Sequence, residues 1–405
     1  MVPFGAHWEY GVPRNEPLPT PHAVEHRFPL PASLYCPMRR VLIFSHAYVD
    51  PANRGKLRAL AARGLELTVG VPQLWRDPAN GRPIATAWER HNDVEVFPVP
   101  ARPVGDVAHA HFARRALRAL LRDKRPDLVQ VEEEPTSAAA RQLVAMGRSL
   151  GVPVVLHAAA AEEQLPLLAR WSRRRLLRRL AGVTTGSQGA AAVVRREAPA
   201  VPVAVVPQLG VQVPPAAQHV PHEGLAVGYV GRLLPEKGLD TLLRALAENR
   251  THEWHLTVVG DGPDRERLER LATELRLAAR VRWCGGLPPE RLALLWPDLD
   301  VLVLASRGVT SLEEHAGQIL AEAMAYEVAV IGSGGGVLPE VIGEAGVVVP
   351  PNDAPALALA LRRLGVEGVR RPLAQAGRAR AMRYYSDAAV AERTVSFWRE
   401  VLGGR

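Results

Sequence analysis

The hydrophobic residues of the chain fall into short apolar runs that alternate with segments of helical period. Uninterrupted apolar runs are typical of strands buried on both faces of a parallel sheet, with the intervening helices covering those faces. The helices predicted between the first runs lie around Lys56–Arg63 and at Ser137–Ser149. The runs that we predict as strands of a first sheet are Val41–Phe44, Leu67–Val71, Leu128–Val131, Val152–Leu156, Val183–Gly186 and Val203–Val206.

A second alternation follows a stretch that lacks any helical period. This stretch, Pro207–Pro221, is rich in Pro, Gln and Val, and it places an interdomain linker at residues 211–222. Two doubly wound sheets joined in this way enclose a cleft between their strand carboxyl ends. The strands that we predict for the second sheet are Ala226–Val230, His255–Val259, Val281–Cys284, Val301–Ala305, Val328–Ile331 and Gly346–Val349. The helices are Leu239–Glu248, Arg265–Leu275 and Gly317–Ala325.

The ends of the chain complete the predicted division. Residues 1–37 carry eight prolines and are expected to form an N-terminal extension. Residues 38–210 and 223–386 are the two predicted domains. The final segment, 387–405, has apolar residues at helical spacing and is expected to pack back onto the first domain.

Composition places the chain among globular proteins. Of its 405 residues, 47% are hydrophobic and 23% are charged. No apolar run is long enough for a membrane-spanning helix, and residues 1–37 lack the apolar core of a secretory signal. The two cysteines, Cys36 and Cys284, are too few for a disulfide framework, so we expect a cytoplasmic location.

The net charge is +8 and comes mostly from arginine. Such a charge favours binding to a nucleic acid, an anionic lipid or a phosphorylated substrate, or it belongs to a basic surface that is only solvated. The sequence has no aromatic-interleaved basic strands, zinc-ligand spacing or helix-turn-helix, so no nucleic-acid partner is predicted. The segment Arg170–Arg179 contains six arginines, and Leu176, Leu177 and Leu180 share one face of it. The opposite, basic face is either solvated or laid on an anionic membrane at the inner face of the cell envelope.

Candidate chemistry begins with two carboxylates, Glu314 and Glu322, eight residues apart. Eight helical residues rise about 12 Å. With Glu314 in a loop before the predicted helix Gly317–Ala325, the two acids reach opposite ends of one extended polar ligand. Free backbone N–H groups between them favour an anion. The pattern predicts a ligand with hydroxyls at its ends and phosphates in its middle, such as a nucleotide sugar.

Three glycine-containing turns join strands to helices in the second domain. Gly231–Gly238 places Arg232 and Lys237 where a diphosphate is held, although ordinary surface charges explain it equally well. Gly260-Asp-Gly-Pro263 is a generic strand-to-helix turn. Gly332–Gly336 approaches a dinucleotide fingerprint, but Val337 replaces its third glycine, which argues against a dehydrogenase.

Taken together and in order, these motifs resemble the retaining glycosyltransferases of family 4. The matching segments are Gly-Arg-Leu-x-Pro-Glu-Lys-Gly, Val-Gly-Asp-Gly-Pro, Glu-x7-Glu-Ala-Met-Ala and Gly-Gly-Val-x-Pro-Glu-Val. The resemblance implies the GT-B fold of two facing Rossmann-like domains. It also implies transfer of a sugar from a nucleoside-diphosphate sugar to a hydroxyl acceptor, with no cofactor and no metal.

The resemblance also implies roles for individual residues. Arg232 and Lys237 bind the donor diphosphate, Glu322 accepts hydrogen bonds from the ribose, and Glu314 binds the transferred sugar. The remaining donor-binding predictions are Gly55, Gly231, Gly260, Gly262, Cys284, Gly285, Ala316, Gly317 and Gln318.

In the first domain, His157 follows a predicted strand and is expected either near the reacting sugar or in a structural role. His46 and Lys56 are candidates on the acceptor side. Glu132 and Glu133 bind acceptor hydroxyls or lie in a solvated acidic loop.

Three departures from the family pattern, Ala316, Glu327 and Ala329, affect the sugar pocket and a helix end. Two alternatives stay open: a related GT-B enzyme such as an epimerase or phosphorylase, and a non-catalytic nucleotide-sugar-binding scaffold.

Overall fold

The computed structural model describes residues 38–76, 83–106, 108–158, 166–215, 219–220, 222–307 and 313–403, with only the backbone described for 313–316. In these ranges the chain forms eighteen strands. The first twelve are β1 Arg40–Phe44, β2 Glu66–Pro72, β3 Leu74–Arg76, β4 Pro83–Ala85, β5 Glu89–His91, β6 Val94–Val99, β7 Ala101–Arg102, β8 His111–Phe112, β9 Leu128–Val131, β10 Val154–Ala158, β11 Gly182–Thr185 and β12 Val203–Val205. The last six are β13 Leu225–Val230, β14 Trp254–Val259, β15 Val281–Gly285, β16 Val301–Leu304, β17 Ala329–Ser333 and β18 Val347–Val349.

Two large sheets contain most of these strands. The first has the order β12-β11-β10-β9-β1-β2-β6-β5 and is parallel except for its edge strand β5. The second has the order β15-β14-β13-β16-β17-β18 and is parallel throughout. β1, β9 and β13 are almost wholly buried, as uninterrupted apolar runs require. The predicted α/β architecture of two Rossmann-like domains is confirmed.

Helices cover both sheets. They are α1 Gly55–Ala61, α2 Arg114–Lys124, α3 Ala138–Ser149, α4 Leu167–Leu177, α5 Gln188–Glu197, α6 Leu239–Glu248, α7 Arg265–Glu274, α8 Pro289–Ala293, α9 Glu313–Ala325, α10 Leu338–Ile342, α11 Ala354–Leu364, α12 Glu367–Arg380 and α13 Asp387–Gly403. Among the described residues, no helix is both long and apolar enough to span a bilayer.

The chain crosses between the sheets twice, and the two crossings pair with each other. Val211, on the way out, forms a parallel β-bridge with Ser386, on the way back. Helix α13 then packs on the first sheet, where the Trp398 indole is fully buried and donates a 2.9 Å hydrogen bond to the Gln130 side chain. The last helix is therefore part of the first domain's core.

Helix α9 begins at Glu313, so the predicted start at Gly317 is wrong by four residues. Gly317 lies inside the helix, and a Cβ there would come 3.1 Å from a methyl of Val341 in α10. The glycine therefore permits close helix packing and does not mark a helix start. Glu314 and Ala316 lie in the first turn, and their side chains fall outside the described part of the structure.

Helix α9 ends in a Schellman motif with an unfavourable residue at its left-handed position. The Val328 N–H bonds the Ala323 carbonyl and the Glu327 N–H bonds the Met324 carbonyl, with Glu327 at φ +60°. Glycine is the favoured residue at such a position because a Cβ is strained there.

We therefore expect Glu327→Gly to stabilise the protein by about 0.5–1 kcal/mol, measured by urea unfolding. The carboxylate's contact with Arg378 is long, at 3.8 Å, and offsets little of this gain. Asn352→Gly is a matched control: Asn352 has φ +63°, but asparagine tolerates that conformation, so its gain should be smaller. A loss of stability in Glu327→Gly would contradict this account.

Candidate functional site

Three glycines bring together the carboxyl ends of adjacent strands in the second sheet. Gly231, Gly260 and Gly285 follow or end β13, β14 and β15, and the Gly260 N–H bonds the Gly285 carbonyl at 2.8 Å. A Cβ on Gly260 would lie 1.9 Å from the Gly231 oxygen, and one on Gly262 would lie 2.3 Å from the Leu233 oxygen. These glycines are thus required by contact between neighbouring loops, and their approach to a ligand stays a prediction.

The loop after β13 presents two cations at this edge. Arg232 is exposed, and Lys237 ends the 3-10 turn Pro235–Lys237. Gly238 closes the loop at φ +68°, where a Cβ would lie 1.9 Å from the Ala305 carbonyl oxygen beyond β16. The loop is therefore fixed against the neighbouring strand end.

A network of charges that the sequence analysis missed braces the same loop. The Arg307 N–H bonds the Glu236 carbonyl at 2.8 Å, and its guanidinium pairs with buried Asp240. Arg267 pairs with Asp264 at 2.6 Å, and the Asp264 carboxylate raises the pKa of Arg267. Arg307 lies three residues beyond β16, so its position after a strand end was the available signal. Its backbone N–H holds the loop that carries Arg232 and Lys237.

Glu322 lies in the third turn of α9 and accepts a 3.2 Å hydrogen bond from Gln318, one turn earlier. Burial raises the pKa of Glu322 to about 7, and the Gln318 hydrogen bond only partly offsets that effect. The half-buried carboxylate thus has a hydrogen-bond partner in its largely apolar setting, and it lies on the helix that follows β16.

The donor-binding candidates Cys284 and Gly285 lie at the end of β15. Cys284 is half-buried and is a free thiol. Gly285 adopts φ +68°, and a Cβ on Gly286 would meet nothing within 4 Å. Gly286 is therefore the glycine of this segment with open space around it.

The acceptor-side candidates of the first domain form one buried and one half-buried ion pair. The Lys56 ammonium donates to Glu132 at 2.6 Å and also to the Gln208 carbonyl. The His46 ring Nδ1 donates to Glu133 at 2.8 Å. Burial alone lowers the pKa of His46, but the Glu133 carboxylate outweighs it and raises that pKa. Glu132 and Glu133 are only 3% and 6% exposed, so the alternative of a solvated acidic loop is wrong.

Gly55 and His157 are both enclosed by neighbouring elements of the first domain. Gly55 is the first residue of α1, and a Cβ there would come 2.0 Å from the carboxylate of Asp387. The absence of a side chain at Gly55 therefore leaves room for the start of α13. His157 lies within β10, is 3% exposed, and its Nδ1 is 3.1 Å from the Thr184 hydroxyl. The hydrogen bond to Thr184 supports the structural alternative, and the predicted catalytic role stays a prediction.

One hydrogen-bonded contact joins the strand-end loops of the two domains. Glu340 of α10 accepts the Gln188 N–H at the start of α5, at 2.9 and 3.1 Å. Burial raises the pKa of Glu340, with the Gln188 N–H acting against it. Since α5 follows β11 and α10 follows β17, the carboxyl ends of the two sheets meet here and border the cleft.

Comparison with known proteins agrees with this geometry. The family model "Glycosyl transferases group 1" matches residues 215–380, and the model "Glycosyl transferase 4-like domain" matches residues 51–208. A 2-deoxystreptamine N-acetyl-D-glucosaminyltransferase of Streptomyces fradiae is 30% identical over 341 residues, covering 75% of this chain and 79% of that protein.

Other similarities are shorter or structural. A GDP-mannose-dependent phosphatidylinositol monomannoside mannosyltransferase of Mycolicibacterium smegmatis is 36% identical over 33% of this chain and 36% of its own length. Two further curated relatives are matched over 53% and 43% of their lengths. HepE of Anabaena, in its crystal structure with UDP-glucose, has a TM-score of 0.65 at 16% identity, covering 89% of this chain and 99% of that one. The fold, the two family models and the long relative together establish that this chain belongs to the group 1, family 4-like glycosyltransferases of GT-B fold.

Proposed function

We propose that the protein transfers a sugar from a nucleoside-diphosphate sugar to a hydroxyl acceptor, with retention of configuration and without a metal. The observation that carries the proposal is the loop Gly231–Gly238, which is braced against β16 and presents Arg232 and Lys237 at the strand ends. A diphosphate needs such fixed cations, and α9, with Glu322, follows the neighbouring strand.

Each residue type suits one part of the donor. Arg232 and Lys237 bind the diphosphate. Gly317 and Gln318 lie inside α9 and use their N–H groups within the helix, so the first turn of α9 supplies the free N–H groups that line the phosphate and sugar. Glu322 accepts hydrogen bonds from the ribose hydroxyls, and Glu314 binds hydroxyls of the transferred sugar. Trp283–Gly286 contacts the base. HepE, which shares the fold, is solved with UDP-glucose, and this supports a nucleotide-sugar donor.

In the reaction, the bond between the sugar C1 and the diphosphate oxygen breaks, and the acceptor oxygen bonds to C1. The acceptor proton passes to the leaving phosphate on the same face. Arg232 and Lys237 neutralise the charge that develops on the leaving diphosphate, so these two residues supply the electrostatic stabilisation. His157 lies on the first-domain side of the reacting centre.

The donor stays open between UDP-sugars and GDP-mannose. Relatives are named for GDP-mannose and for N-acetylglucosamine transfer, and their named acceptors are a phosphatidylinositol mannoside and 2-deoxystreptamine. The proposal covers glycan, lipid and small-molecule acceptors.

Donor binding should depend on pH through Glu322. Its pKa of about 7 lies above the ordinary carboxyl value, so below pH 7 the Glu322 carboxyl is mostly protonated in the free protein. The two ribose hydroxyls donate to the ionised form, so the carboxyl must lose this proton when the donor binds. We expect donor affinity to rise roughly tenfold per pH unit up to about pH 7 and then to level. Calorimetric titrations from pH 5.5 to 8.5 measure this. Glu322→Gln cannot ionise at this position, so the same dependence of donor affinity on pH in that variant would contradict the role given to Glu322.

The residues of the basic segment Arg170–Arg179 divide into buried and exposed positions. Leu176, Leu177 and Leu180 are buried, as predicted. Arg173 is also buried, pairing with Glu197 at 3.1 Å, so this arginine is not part of the basic surface. The exposed surface of α4 and of the two residues after it combines arginines with large apolar side chains, namely Leu167, Leu168, Trp171, Arg175, Arg178 and Arg179.

This mixture suits peripheral contact with an anionic membrane. We expect co-sedimentation with phosphatidylglycerol vesicles at low salt. The double variant Leu168→Glu/Trp171→Glu should bind at least about tenfold more weakly, since it removes two insertable apolar side chains. Leu294→Glu, at a site 73% exposed in the second domain, is the control. Equal sedimentation of the two variants would refute membrane contact through α4.

Product analysis tests the function itself. The protein is incubated with UDP-sugars and GDP-mannose and with glycan, lipid and small-molecule hydroxyl acceptors. Release of nucleoside diphosphate with formation of an α-linked product supports the proposal. An epimerised nucleotide sugar, or phosphate-dependent release of a sugar phosphate, would identify a related GT-B enzyme instead. Donor binding without any turnover would identify a scaffold.

A further inference from the structure

A cluster of histidines surrounds a buried carboxylate at the opposite end of the second sheet from the donor site. Asp300, 4% exposed, immediately precedes β16, and the linker segment carries His219 and His222 to it. No metal-ligand spacing is evident in the sequence, because Asp300 lies far along the chain from the two histidines. Ligand atoms of these three residues all lie within 4.8 Å of one another.

The spacing within this cluster is that of ligands around a shared ion. His222 Nε2 is 3.4 Å from one Asp300 oxygen, and His219 Nε2 is 3.7 Å from the other. Both separations exceed a normal hydrogen bond. Ligand atoms about 2.0–2.1 Å from a tetrahedral zinc ion lie roughly 3.3–3.4 Å apart, so the separation between His222 and Asp300 already matches, whereas the 3.7 Å separation between His219 and Asp300 shortens when an ion binds.

The His222 ring gives a second, independent sign of a missing partner. Both of its nitrogens are buried, and neither has a hydrogen-bond partner among the described residues. An imidazole whose two nitrogens are both shielded from solvent normally bonds through at least one of them. The His255 ring packs edge-on against it at 5.4 Å between centroids, which holds the imidazole in place without satisfying it.

The carboxylate is already oriented in the manner of a metal ligand. One Asp300 oxygen accepts from Arg370 at 3.0 Å, and the other accepts from the Ala226 N–H at 3.0 Å. Outer hydrogen bonds of this kind fix the direction of ligating carboxylates, and each oxygen keeps a lone pair toward a histidine. The positive charge of Arg370 disfavours a metal cation at Asp300. Two neutral imidazoles are therefore needed, together with the carboxylate, to hold the metal.

We propose that His219, His222 and Asp300 bind one divalent transition-metal ion, zinc by preference, with a water as fourth ligand. Imidazole and carboxylate donors in tetrahedral array suit zinc. The ion would fasten the linker, residues 211–222, to the amino-terminal edge of the second sheet. Its role is structural, and it is independent of the proposed transfer reaction.

Calorimetric titration of the full chain with Zn²⁺, after dialysis against a chelator, tests the site. We expect one tight equivalent and a rise in melting temperature on binding. His222→Ala should weaken binding at least tenfold, and His219→Ala/His222→Ala should abolish it. His252→Ala, an exposed histidine near the same sheet edge, should bind like the wild type. Co²⁺ should give the visible absorption of a tetrahedral N/O site in the wild type and in His252→Ala only.

Two results would overturn the proposal: no Zn²⁺ binding above that of the double variant, or equal weakening by His252→Ala. The metal-free variants should keep the wild-type melting temperature, because both histidine side chains reach the surface, at 51% and 19% exposure. Loss of transfer activity is not a readout here, so failure of this test would leave the proposed function untouched.

Discussion

Replacing Glu322 or Lys237 with alanine should lower kcat/KM for sugar transfer by about 10²–10³ and leave the fold intact. Glu322→Ala removes a carboxylate that accepts charge-assisted hydrogen bonds, each contributing about 1.5–3 kcal/mol. Lys237→Ala removes a fixed cation from the leaving diphosphate, an effect of about 10²–10³ in kcat where such stabilisers have been removed elsewhere. Steady-state assays with the active donor and acceptor measure both losses.

The controls separate chemistry from stability. Because the pKa of Glu322 is raised to about 7, the ionised side chain opposes folding at pH 8, and Glu322→Ala should not lower the free energy of unfolding there. Glu344→Ala, at an exposed site in the same domain, should keep full activity. Near-normal turnover in both Glu322→Ala and Lys237→Ala would refute the donor site.

Trp398→Ala should destabilise the protein by about 3–5 kcal/mol, the range for truncating a buried aromatic side chain. The indole is 0% exposed between α13 and the first sheet, and its loss also leaves the Gln130 side chain, 2.9 Å away, without its donor. Urea unfolding followed by far-ultraviolet circular dichroism measures the change in midpoint.

Two further variants show the source of this loss. Trp398→Phe keeps most of the volume but removes the hydrogen bond, so it should lie between the alanine variant and the wild type. Trp88→Ala, at a site 57% exposed, should change stability by less than about 1 kcal/mol. A Trp398→Ala loss below about 1 kcal/mol would contradict the packing of α13 on the first domain.

The sequence predicted elements whose hydrophobic pattern is clear, although the helices α2, α5, α11 and α12 were not predicted. The run Val41–Phe44 and the helix Leu239–Glu248 lie where they were expected, because a buried parallel strand and an amphipathic helix leave clear patterns. The strands β3 to β8 were not predicted, since most of them have only two or three residues. Helix α9 was predicted too short because Gly317 was interpreted as the start of the helix. A glycine is needed at this position because the backbone packs closely against α10.

The site was predictable in its strand-end motifs but not in its pairings. Arg232 and Lys237 lie at the strand edge that their motif implied. The pairing of Lys56 with Glu132 depends on β1 lying beside β9, which no local pattern specifies. The same holds for Arg307 with Asp240, and for Glu340 with Gln188 across the domains. Long-range pairing therefore determines which candidate side chains remain available to a ligand.

The central claim is that the second domain holds a nucleoside-diphosphate sugar between the Gly231–Gly238 loop and Glu322. Calorimetric titration of the full chain with UDP-sugars and GDP-mannose, beside the Glu322→Ala variant, tests it most directly. We predict that at least one donor binds the wild type with one-to-one stoichiometry and binds Glu322→Ala at least about tenfold more weakly. Binding of no nucleotide sugar, or equal binding to both proteins, would contradict the claim.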